Sequence, residues 1–117
     1  MLLERVKTFY EKYQCPVFVV GDLNTDYCSE AVSLLFKNGF RHAHDIATEF
    51  AEESVGYHYC FPAGYEKYYY DRPFEKAIDH IVVMGEKDGA VKRFERYSPD
   101  WYLPISDHSP AFVDVEL

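Results

Sequence analysis

At 117 residues the chain has room for one domain with an autonomous core and little space for a deep cleft. With 48% hydrophobic and 18% aromatic residues it should fold rather than stay disordered, and no apolar stretch approaches the roughly 20 residues of a membrane helix. A net charge of -8 argues against tight, non-specific nucleic-acid binding, though a divalent cation could still bring a phosphoester to an acidic surface.

Cys15, Cys28 and Cys60 are odd in number and widely spaced, with no C-x-x-C pair. That spacing predicts neither a disulfide framework nor a zinc site, and it reads as three small buried hydrophobes in a reducing, cytoplasmic protein. The N-terminal residues lack the uninterrupted apolar core of a signal peptide.

In chain order, Leu2, Leu3, Val6, Phe9, Tyr10 and Tyr13 share one helical face, opposite Glu4, Lys7, Glu11 and Lys12. Pro16 then introduces Val17-Phe18-Val19-Val20, an unbroken apolar run that predicts a strand buried on both faces and ending at Gly21. The loop formers Asp22, Leu23, Asn24, Thr25 and Asp26 follow at its carboxyl end, where ligands gather in α/β sheets. A second helix is predicted from about Ser29 to Lys37, with Ser29 as N-cap, Ala31, Val32, Leu34, Leu35 and Phe36 as core, and Asn38-Gly39 as the stop.

Phe40 to Ser54 has no clean period and reads as loop with a short helix. Within it His42 and His44 flank Ala43, and a shared metal site is not expected of them. Val55 to Phe61 reads as a strand and Pro62 to Glu75 as a long tyrosine-rich loop covering a core edge. Strands are predicted at Ala77 to Met84, Ala90 to Tyr97 and Ala111 to Val115, with a turn at Gly85 to Gly89 and a loop over Ser98 to Ser109. The pattern is that of one layered α/β domain over residues 1–117.

The residues that stand out chemically are Asp22, Asn24, Asp79, Asp107 and His108. A histidine held beside carboxylates can be kept in one tautomer and cationic, suited to a developing anion. Converging carboxylates also make an oxygen-rich site for a hard cation such as Mg²⁺. Each aspartate serves equally well as a turn former or helix cap, and spacing alone leaves both readings open.

Gly21-Asp22-Leu23-Asn24, Ile78-Asp79-His80-Ile81 and Ser106-Asp107-His108-Ser109-Pro110 resemble, in order, the C-terminal signatures of the endonuclease/exonuclease/phosphatase superfamily with a DNase I-like fold. Tyr57-His58-Tyr59-Cys60-Phe61 resembles a stretch that precedes the second signature in some members. The resemblance implies the C-terminal half of a four-layer αββα sandwich that hydrolyses phosphoesters with Mg²⁺ or Mn²⁺. It implies that Asp22 orients or deprotonates the attacking water and that Asn24 holds that water or a phosphate oxygen. Asp107 would sit at the metal, and His108 would donate to the scissile phosphate with Asp79 fixing its tautomer. His80 stands where the motif commonly has an aromatic residue and reads as packing or surface.

The family's N-terminal half supplies an early Asn, a Gln-Glu metal ligand and a further His or Tyr, and this chain has no Gln-Glu pair, its one glutamine being Gln14. The expectation is therefore a half-domain that is inactive alone, favours a small phosphoester over duplex nucleic acid, and covers its apolar face by self-association or with the missing half. The alternative is a non-catalytic, self-associating module that keeps the motifs by descent.

Overall fold

A computed structural model describes residues 2–50, 78–96, 101, 108 and 110–117. The expected strand at Val55 to Phe61, the tyrosine-rich loop, Cys60, most of the Ser98 to Ser109 loop and Asp107 lie outside these.

The elements in order are α1 (Leu2–Tyr13), β1 (Val17–Asp22), α2 (Glu30–Lys37), β2 (Arg41–His42), α3 (Ala43–Ile46), β3 (Glu49–Phe50), β4 (Asp79–Met84), β5 (Val91–Arg96) and β6 (Ala111–Val115). They build two three-stranded sheets, ordered β1-β4-β2 and β3-β5-β6. The strand pairs are antiparallel except β3 with β5. This is a mixed, layered α+β arrangement.

The two faces of β4 explain the layering. Ile81 and Val83 pack with Phe94 and Val91 of β5 and with Ala43, joined by Phe18, Ala111 and Val113, which fills the space between the sheets. Val82 and Met84 point the other way, onto Val6 of α1 and Leu35 of α2, with Phe40. Val82, Val83 and Phe94 are fully buried, so β4 is the strand buried on both faces, whereas β1 sends Phe18 to one core and Val17 and Val19 to the other without being buried.

That role was expected for β1, and the structure corrects it. Within the described residues β1 pairs only with β4; it runs on through Gly21 to Asp22, and Val20 is 64% exposed. A continuous apolar run cannot tell a central strand from an edge strand, because the difference lies in a neighbour distant in sequence. The stripe of α1 is likewise covered along one border: Val6 is buried, whereas Leu2, Phe9 and Tyr13 are exposed.

Helix α2 follows its sequence signals. The Ser29 hydroxyl accepts from the Val32 amide at 3.2 Å, and the chain leaves the helix through Asn38 and Gly39, whose φ of 90° only glycine adopts readily. Its core is narrower than expected, since Leu34 is half exposed while Val32 and Leu35 are buried.

Phe40 to Ser54, expected as loop with one helix, holds β2, α3 and β3. Elements of two to four residues carry no readable period. His42 and His44 are not two strand positions: His42 ends β2 and caps α3, its Nδ1 accepting from the His44 amide at 3.2 Å.

The cysteine reading also changes. Cys28 is disulfide-bonded, and Cys15 is free and exposed rather than buried. Bridging depends on how closely two Cα atoms approach, which spacing in sequence does not report. The disulfide removes the argument from cysteine usage for a reducing compartment. Among the described residues no helix is long and apolar enough to cross a membrane.

Candidate active site

The site is assembled by the end of the β1–β4 ladder. The register sets Phe18 opposite Val83, Val20 opposite Ile81 and Asp22 opposite Asp79. Because side chains alternate along a strand, Asp22 and Asp79 share the face that Phe18, Ile81 and Val83 bury between the sheets. At the ladder's end that face opens to solvent: Asp22 is exposed and Asp79 half-buried.

His108 reaches the same point from the approach to β6 in the second sheet. Its Nδ1 lies 2.6 Å from Oδ2 of Asp79, with the two side chains 40% and 31% exposed. A carboxylate is an acceptor only, so Nδ1 carries the donated proton. This fixes the ring's orientation and leaves Nε2 as the nitrogen that can serve a ligand. A cavity of about 250 Å³ adjoins the pair, with Val20, Pro110 and Ala111 among its walls.

One ligand atom from each of Asp22, Asp79 and His108 lies within 4.8 Å of the others. Two carboxylates present hard oxygen donors of the kind that Mg²⁺ takes alongside water and substrate phosphate. With Nδ1 of His108 engaged by Asp79, the donor set is better matched to a cation on oxygen than to one on the imidazole.

Asn24 lies just beyond the ladder. Its backbone N–H donates to Oδ1 of Asp22 at 2.6 Å, and its φ is 52°, in the left-handed region that asparagine tolerates better than most residues. The residue therefore holds a turn, and its exposed side chain is available for contact with a ligand. Leu23 extends the ladder by donating to the Ile78 carbonyl at 2.9 Å.

The sequence missed a second feature beneath this site. His42 and His80 are each 1% exposed and their rings meet, Nε2 of His42 lying 3.2 Å from Nδ1 of His80. Nε2 of His80 is 2.7 Å from the Thr25 carbonyl. The available signal was His80 itself, because a polar ring within an apolar strand requires partners. Its expected packing role matches this burial. Nearby, the Tyr27 hydroxyl donates to Asp45 at 2.7 Å; partial burial, then that bond and the negative charge, push its pKa well above the ordinary tyrosine value.

Comparison with known proteins supports what this geometry suggests. No curated protein matches the chain. The crystal structure of a functionally unknown conserved protein from Enterococcus faecalis V583 is similar, with a TM-score of 0.54 and 25% identity, over 97% of this chain and 44% of that one. The chain thus spans less than half the length of that relative. The profile of the Endonuclease/Exonuclease/phosphatase family matches residues 3–108. The match takes in both carboxylates and His108, and the chain belongs to that family.

Proposed function

We propose that the protein hydrolyses a phosphoester with the help of Mg²⁺ or Mn²⁺ where Asp22, Asp79 and His108 meet. The observation that carries this reading is the 2.6 Å bond between His108 and Asp79 beside a second carboxylate. Asp22 and Asp79 would hold the cation, with Asp107 as a further ligand. When bound, it would offset phosphate charge and lower the pKa of a bound water.

The remaining chemistry belongs to side chains. Asp79 keeps the proton on Nδ1 of His108 and supports a cationic ring, so that Nε2–H donates to a non-bridging phosphate oxygen as negative charge builds. Asp22 accepts from the attacking water and orients it, and the Asn24 side chain holds that water or a phosphate oxygen. The net charge of -8 favours a small phosphoester over a nucleic-acid duplex.

Three carboxylates would leave the cation's remaining positions to water and substrate phosphate. The 117-residue chain is itself the material to assay. A panel of phosphomonoesters and phosphodiesters, with Mg²⁺ or with EDTA, tests the reading. Cation-dependent release of product from at least one class supports it, and no release from any class with either cation overturns it.

A second reading, a self-associating module, is favoured by one set of observations. Val20 on β1, Val115 on β6, and Phe9 and Tyr13 on α1 leave apolar surface in water. Light scattering at micromolar concentration tests this: a dimer supports it, and a monomer across the range overturns it.

A further inference from the structure

The buried histidine pair is unused by the chemistry above, and its bonds form a directed chain. The His44 amide donates to Nδ1 of His42 at 3.2 Å, so that nitrogen carries no proton. The proton of a neutral His42 ring is then on Nε2, which donates to Nδ1 of His80 at 3.2 Å. That in turn leaves the His80 proton on Nε2, which donates to the Thr25 carbonyl at 2.7 Å. Each donor meets an acceptor only when both rings are neutral Nε2–H tautomers.

Satisfied histidines also occur in ordinary cores. What distinguishes this pair is where the chain ends. Thr25 is the residue after Asn24, and His80 is the residue after Asp79. Alternation along β4 turns Asp79 to the open site while His80 points to the opposite face. One strand thus presents a site carboxylate on one face and, on the other, grips the turn that bears Asp22 and Asn24. The ladder bond from Leu23 to Ile78 ties the start of that turn, and the His80 bond ties its far side.

We infer that His42 and His80 are positioning residues, which hold the Asp22–Asn24 turn in place against Asp79 and His108; the inference rests on the hydrolase reading. An apolar ring would fill the same volume but would not hold the Thr25 carbonyl. Groups that orient residues of a site in this way typically affect activity by about 10–100-fold.

The test combines NMR with kinetics on the protein. Long-range ¹H–¹⁵N spectra of the unmodified protein should show Nε2–H tautomers for both rings; an Nδ1–H tautomer on either overturns the inference. In His80→Phe, amide exchange at Asn24 should quicken about tenfold or more while Val82 in β4 keeps its protection. kcat should fall about 10–100-fold with KM within a factor of about two, and His80→Gln, which keeps a donor for Thr25, should recover most of both effects. His80→Phe with parental exchange and kcat overturns the inference, as does a loss that glutamine does not recover at equal melting temperature. If His80→Phe does not fold, the tautomers and His80→Gln decide. Absence of turnover in the parent alongside the expected exchange pattern overturns the hydrolase reading and leaves the tie on the turn standing.

Discussion

Asp22 and Asp79 stand directly opposite each other across the β1–β4 ladder, on the same face of the sheet. Like charges in such a pair oppose folding by about 0.2–1 kcal/mol. The His108 ring donates to Asp79, and under the proposed function a cation beside both carboxylates would offset the repulsion. Asp22→Asn relieves the repulsion and keeps an oxygen for the Asn24 amide. The expected outcome without cation is equal or higher stability in urea, with kcat lower by about 10²–10³. Reduced stability with unchanged turnover would mark Asp22 as structural.

Asn24 combines a backbone role with a proposed side-chain role, and two substitutions separate them. Asn24→Ala forces an ordinary residue into the left-handed region at a cost of about 1–2 kcal/mol, whereas Asn24→Gly accepts that φ readily. If the side chain touches water or phosphate, both variants lose turnover and only the alanine variant loses stability. Full turnover in Asn24→Gly would confine the residue to shaping the turn.

How far the sequence reached follows from the range of the interactions. Helix α2 was legible through Ser29 and Gly39, and β6 through its flanking proline and β-branched residues, because caps and alternation are local. The motifs marked Asp22, Asp79 and His108 in order. That two of them face each other, and that the third bonds to one, depends on strand register and on the approach to β6, neither of which has a local signature. The same holds for the histidine pair, whose members are 38 residues apart, and for β1, whose apolar run hid its edge position among the described residues.

Gly85 sits at a φ of 78° after β4, and an added Cβ would lie 2.2 Å from the Tyr10 ring. Gly85→Ala therefore meets both an unfavourable backbone and an overfilled contact between α1 and the β4–β5 turn. Each contributes roughly 1–3 kcal/mol, so a loss of at least about 1 kcal/mol is expected in chemical denaturation. A stability equal to the parent would show that α1 does not pack as described.

Tyr27 gives an alkaline signature. Its pKa is raised in the folded state by burial and by Asp45, so its contribution is fully present below the ordinary tyrosine pKa. Above that value the unfolded chain loses the proton first, and stability falls as pH climbs towards the folded pKa. Tyr27→Phe should flatten this part of the alkaline decline in melting temperature. An unchanged slope would contradict the Tyr27–Asp45 bond.

The most direct test of the account is a double-mutant cycle on Asp79 and His108, read as Mg²⁺-dependent phosphoester hydrolysis. If Asp79 acts by holding His108, Asp79→Asn and His108→Gln each lower kcat by about 10²–10³, and the double variant is no slower than the slower single. All should retain the parental melting temperature within a few degrees, since both side chains are partly exposed. Losses that multiply, or a His108→Gln enzyme as fast as the parent, would contradict the pair as the working unit of the site.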